Sequence, residues 1–167
     1  MLDEIYNRKI LELAASIPRL GRLAAAQASA SAHSRLCGSS VTIDLALADG
    51  RVADFAQEVK ACALGQTSCS VVGQNIIGAA PLELREAREA MRRMLKENGP
   101  PPQGRFADAG VLAPARDYKA RHASILLVFD AVAEALDKIE DAAKPGPKPG
   151  PKPGPKPGPK PGPKPGQ

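Results

Sequence analysis

Apolar residues Leu2, Ile5, Ile10, Leu13 and Ile17 recur at near-helical spacing up to Pro18, which predicts an amphipathic helix over residues 2–17 packed on the body. The Ala/Ser-rich run from Ala24 to Ser34 shows no useful period; it reads as a connection, with His33 in solvent. From Val41 to Leu47 the pattern changes to strict alternation: Val41, Ile43, Leu45 and Leu47 are interleaved with Thr42, Asp44 and Ala46, the period of a half-buried strand. Asp49-Gly50 follows as a hairpin signal, because both residue types tolerate positive φ. A second strand through Val52 and Phe55 and a third short extended segment near Val59 complete the predicted sheet.

The helical period then returns. Small residues Ala63, Gly65, Ser68, Cys69, Ser70 and Gly73 mark a helix from about Leu64 to Ile77, with Val72, Ile76 and Ile77 toward the sheet. Pro81 opens a further helix with Glu83, Glu86 and Glu89 near its start and Arg92, Arg93 and Lys96 near its end, as the helix dipole favours, and Asn98-Gly99-Pro100 stops it. Residues 99–116, rich in proline and glycine, read as the longest internal loop. Tyr118, His122, Ile125, Phe129, Val132, Leu136 and Ile139 then fall 4-3-4-3-4-3 apart, the apolar face of a last helix. The fold class is therefore α+β: a small three-stranded antiparallel sheet covered by four to five helices.

Residues 144–167 are six tetrads, five Lys-Pro-Gly-Pro and a final Lys-Pro-Gly-Gln. With glycine every fourth position the collagen period is excluded, and no two prolines stand three apart, so the tail reads as a disordered, solvated spacer. One folded domain over residues 1–143 remains. The chain has 23 basic and 18 acidic residues, but six of the lysines lie in the tail, leaving 17 against 18 in the body. That balance, with only 3% aromatic residues, gives no nucleic-acid face. The start, Met1-Leu2-Asp3-Glu4-Ile5, has no secretory h-region, and no stretch approaches the roughly 18 apolar residues of a membrane span. Three cysteines without a secretory segment fit a reducing compartment, so the expectation is a cytoplasmic protein.

The chemistry sits on those cysteines. Cys37-Gly38 stands ahead of the alternating strand, Cys62 follows the sheet, and Cys69 lies within Ser68-Cys69-Ser70. Thiols at fixed spacing in a thiol-poor domain point to a soft metal. The ordered set Cys37-Gly38-Ser39, the strand to Leu47, Asp49-Gly50-Arg51-Val52-Ala53-Asp54, Cys62 and Thr67-Ser68-Cys69-Ser70 resembles the U-type iron-sulfur cluster assembly scaffolds, the IscU, NifU and SufU group. Tyr6 and Pro18-Arg19-Leu20-Gly21 resemble that group's first helix and turn. The resemblance is tight over 37–70, looser over 2–140, and implies a SufE/NifU-like fold.

Such scaffolds bind and pass on cargo without turning over a substrate. The resemblance thus implies a non-enzymatic protein that holds a [2Fe-2S] cluster or its iron precursor, with zinc as an alternative ion. Its implied partners are a cysteine desulfurase, an iron or electron donor and apo-acceptor proteins, with neither nucleic acid nor membrane among them. The implied ligands are Cys37 and Cys62, with His122 and Ser124 beside them and Cys69 or Ser39 as further candidates. Two departures stand out. Ser39 occupies the family's acidic position after Cys-Gly, and the third cysteine is replaced, by Ser124 in one register of the last helix or by Ala123 in the register that matches His122 to the family's histidine. Cys69 also reads as a packing residue, and His122, on the apolar stripe, as a buried hydrogen-bonded histidine. Two alternatives accompany the scaffold reading: a degenerate paralogue serving as an interaction or regulatory module, and sulfur transfer through the Cys37 thiol.

Overall fold

The computed structural model describes residues 7–143. The expectations for Leu2, Ile5 and Tyr6 and for the 144–167 tail lie outside the described residues. Helix α1, Arg8–Ala15, begins where the Asn7 side chain accepts the Ile10 amide (3.0 Å) and ends at Ser16, ahead of Pro18. Its buried Ile10 and Leu13 belong to the predicted stripe.

Three strands follow in antiparallel order: β1 Ala28–His33, β2 Ser40–Ala48 and β3 Arg51–Lys60, with β2 in the centre. The β2–β3 hairpin turns at Asp49-Gly50, both at positive φ (53° and 74°), as predicted. The strand inventory differs from the sequence expectation. Val52, Phe55 and Val59 share one ten-residue strand, and the third strand is the Ala/Ser run read as a connection. Its alternation is of small residues: Ala30 is buried and Ala28 and Ala32 pack against the core, whereas Ser31 and His33 are exposed. Alanine buries too little apolar area to announce a strand, yet it leaves room for a helix to lie close on that face.

Helix α2, Ala63–Asn75, is buried along most of its length. Val72 and Ile76 are in the core, but Ile77 is exposed, because the helix ends before it. Helix α3, Pro81–Lys96, has the predicted bounds, and the Gly99 amide closes its end on the Arg93 carbonyl (2.9 Å). The predicted loop over 99–116 is instead largely a 3-10 helical segment, Gly104–Asp117. Its buried residues Phe106, Ala109, Leu112 and Ala115 stand three apart, the period of a 3-10 turn. Helix α4, Lys119–Ala143, carries the predicted stripe but also buries Leu126, Val128, Ala131 and Ala135. It is the central rod of the molecule, packed on β1 and β2, on α2 and on α3. The result is an α+β fold of three strands and five helical elements among the described residues.

Candidate functional site

Strand register brings the cysteines together. His33 pairs with Ser40, and Ser40 with Lys60, so the end of β1, the start of β2 and the end of β3 meet at one end of the sheet. Cys37 lies in the β1–β2 turn and Cys62 is the N-cap residue of α2, two positions past β3. The turn is closed by the Ser34 amide on the Ser39 carbonyl (2.8 Å) and the Gly38 amide on the Ser34 carbonyl (2.9 Å). Gly38 has φ of 67°, which explains a glycine directly after the cysteine.

Helix α4 supplies the third component. Ser124, 1% exposed, places its Oγ 3.3 Å from Cys62 Sγ and donates to Ser39 Oγ at 3.1 Å. Ser39 Oγ is in turn 3.1 Å from Cys37 Sγ, and Ser34 Oγ is 3.3 Å from it on the other side. The two sulfurs are therefore joined by a hydrogen-bonded bridge of two buried hydroxyls. Gly65 makes this approach feasible: a Cβ there would stand 2.5 Å from Ser124 Oγ and 3.2 Å from the Ser124 carbonyl oxygen.

The bridge has a preferred direction. Ser124 gives its hydroxyl hydrogen to Ser39; Ser39 Oγ accepts from Cys37 while that residue is a thiol and can donate to its sulfur once it is a thiolate, and the Cys62 thiol can donate to Ser124. Every hydrogen then finds an acceptor when Cys37 is a thiolate. The Ser34 hydroxyl, followed by that of Ser39, lowers the Cys37 thiol to about 7 against a modest opposing effect of burial. Cys62 adds no side-chain cap to α2, so the free amides of that helix start face the same neighbourhood and favour negative charge there. Arg35 and Lys60, both exposed, and half-buried Arg121 flank Cys37, Cys62 and Ser124 in sequence, and none of the three joins an ion pair among the described residues.

The remaining candidates lie elsewhere. Cys69 is 1% exposed inside the core, and burial pushes its thiol up to about 12. His122 points its Nε2 at the carbonyl oxygens of Ala115 and Arg116, both at 3.0 Å, and ties α4 to the 3-10 segment instead of meeting the cysteines. Ala123 lines a groove with Arg88, Arg92 and Asp130 on another face of α4, so of the two registers the geometry favours Ser124. The Ser34 contact was not foreseen. Ser34, three residues before Cys37, was a usable signal for a turn hydroxyl on the thiol.

An α+β frame that carries two accessible thiols at a sheet end, over the N-terminus of one helix and against a second, defines a thiol-bearing binding scaffold. No protein-family model matches the chain. A nitrogen-fixing NifU-like protein (N-terminal) from Brucella abortus is 60% identical, with a TM-score of 0.84, and the match covers 85% of this chain and 99% of that one. The iron-sulfur cluster assembly scaffold protein IscU of Thermotoga maritima is 29% identical over 136 residues, 81% of this chain and 94% of that protein. A putative iron-sulfur cluster assembly scaffold protein for the SUF system from Fervidobacterium islandicum shares the fold at 23% identity, with a TM-score of 0.69 over 79% of this chain and 96% of that one. The chain belongs to the U-type iron-sulfur cluster assembly scaffold family, the group of the NifU N-terminal domain and IscU.

Proposed function

We propose that this chain is a scaffold that takes up iron and sulfide at Cys37 and Cys62, holds a [2Fe-2S] cluster or its iron precursor there, and yields it to an acceptor. The observation that carries the reading is the bridge Cys37 Sγ, Ser39 Oγ, Ser124 Oγ, Cys62 Sγ, which keeps two thiols together at the end of the sheet. Soft thiolates suit iron-sulfur and zinc chemistry, and the α2 N-terminus beside Cys62 suits an anionic cargo. A cysteine desulfurase fits as the source of sulfane sulfur: the Cys37 thiolate would take it as a persulfide, with the enzyme's thiolate leaving, and an electron donor would supply the two electrons that reduce it to sulfide. Zinc is the competing occupant of a dithiol of this kind.

In this reading the thiols hold cargo and the hydroxyls of Ser39 and Ser124 support them. A second reading, a family member that keeps the fold as an interaction module without a cluster, is favoured by Ser39 and Ser124 at two of the family's ligand positions. Anaerobic reconstitution with iron and sulfide separates the two. The scaffold reading expects a visible cluster chromophore in the wild-type chain, at least tenfold weaker in Cys37→Ala and in Cys62→Ala and retained in Cys69→Ala. A colourless wild-type protein supports the interaction module.

A further inference from the structure

Away from the thiols, a surface cavity of about 510 Å³ opens between the end of α3 and the start of α4, within the size range of small-ligand pockets. Three cations line it: Lys96 in the last turn of α3, Arg116 near the close of the 3-10 segment, and Lys119, the first residue of α4. Asp117 is the acidic residue among them. None of these four joins an ion pair among the described residues. The start of the 25-residue α4 adds the partial positive charge of a helix N-terminus.

The remaining lining is fixed in a way that leaves hydrogen-bonding atoms over. Arg116 donates through Nε to the Ala113 carbonyl (3.1 Å) and through Nη1 to Asn98 Oδ1, so its Nη2 and the Asn98 Nδ2 remain as donors. His122 is 4% exposed. Its Nε2 faces two carbonyl oxygens, which only accept, so that nitrogen carries the ring hydrogen. Nδ1 is then an acceptor with no partner among the described residues, and it is not sealed from solvent. The lining thus sorts into cations and donors that suit an anion and two acceptors, Asp117 and His122 Nδ1, that suit hydroxyl groups.

We propose that this cavity binds a sugar phosphate: Lys96, Arg116 and Lys119 take the phosphate monoester, and Asp117 and His122 Nδ1 accept hydrogen bonds from the hydroxyls of the sugar. The cavity is larger than inorganic phosphate needs, and no Phe, Tyr or Trp lines it to stack a nucleobase, which favours a sugar over a nucleotide. Asp117 repels a second phosphate, which favours a monoester over a polyphosphate. Neither Cys37 nor Cys62 lines the cavity, so the site stands independently of the cluster-scaffold reading.

Isothermal titration of the full chain with glucose 6-phosphate, ribose 5-phosphate, glucose and inorganic phosphate, at one ionic strength, tests the proposal. It expects one saturable site per chain for a sugar phosphate, with glucose and inorganic phosphate about tenfold weaker or more. Lys96→Ala/Lys119→Ala, at exposed positions that spare the fold, should weaken the sugar phosphate by about tenfold or more. Asp117→Ala should erase most of the preference for sugar phosphate over inorganic phosphate, and Cys37→Ala/Cys62→Ala should bind as the wild-type chain does. Three results would overturn the proposal: no saturable binding of either sugar phosphate, binding undiminished in the double lysine variant, which places it on the tail lysines or elsewhere, or equal affinity for inorganic phosphate.

Discussion

Two serine hydroxyls set the state of Cys37. With the thiol held at about 7 by Ser34 and Ser39, alkylation of Cys37 by iodoacetamide should follow a titration with its midpoint near that value, and Ser34→Ala or Ser39→Ala should move the midpoint upward. Peptide mapping of the labelled protein across pH reads it directly. The sign for stability follows: the folded chain favours the thiolate, so this contribution is present above the ordinary thiol value and is lost as pH falls through about 7. Asp44 behaves in the same sense at lower pH. The Arg22 guanidinium holds its carboxyl at about 2, so its contribution is lost only as pH falls from the ordinary carboxylate range toward that value. Gly65→Ala places a methyl against the Ser124 backbone, and overpacking of this kind costs about 1–3 kcal/mol. A thermal melt of that variant should fall, and its Cys37 midpoint should rise as Ser124 is pushed away.

At the scale of elements, the 3-10 segment Gly104–Asp117 closes the core with side chains three residues apart. Leu112→Ala, at a fully buried position, should cost about 2–5 kcal/mol in denaturant unfolding, whereas Leu82→Ala on the exposed face of α3 should stay within about 0.5 kcal/mol. That segment and β1 are the elements the sequence did not reveal, for related reasons. A window tuned to periods of 3.6 and 2 passes over a period of three, and the alternation of alanine with serine in β1 carries too little hydrophobic contrast to register. The β2–β3 hairpin, α3 and α4 were legible because large apolar side chains marked each period and Asp-Gly, Pro and Asn-Gly marked the ends. The ordered motif from Cys37 to Ser70 pointed to the two thiols and one register of the last helix pointed to Ser124, and the structure joins these side chains through Ser39. The bridge, the Ser34 contact and the departure of His122 depend on turn closure and helix rotation, which residue spacing alone does not determine.

Across the whole molecule, α4 joins the sheet, α2 and α3, and the Cys37–Cys62 site lies where its first turns reach the sheet end. No helix among the described residues is long and apolar enough to cross a membrane. The tail contributes six of the 23 basic residues. Removal of residues 144–167 should lower the isoelectric point from about 9.3 to near neutrality or below while leaving the melting temperature and metal uptake unchanged. Isoelectric focusing and a thermal melt of the shortened chain check this.

The most direct measurement of the central claim, that Cys37 and Cys62 form one metal-binding pair, is an anaerobic Co2+ titration read at the thiolate-to-metal charge-transfer band. The account predicts a saturable band in the wild-type chain, about halved in Cys37→Ser and in Cys62→Ser as one of two thiolate ligands is lost, and unchanged in Cys69→Ala. A band that is absent, or that survives at full intensity when either cysteine is replaced, would contradict it.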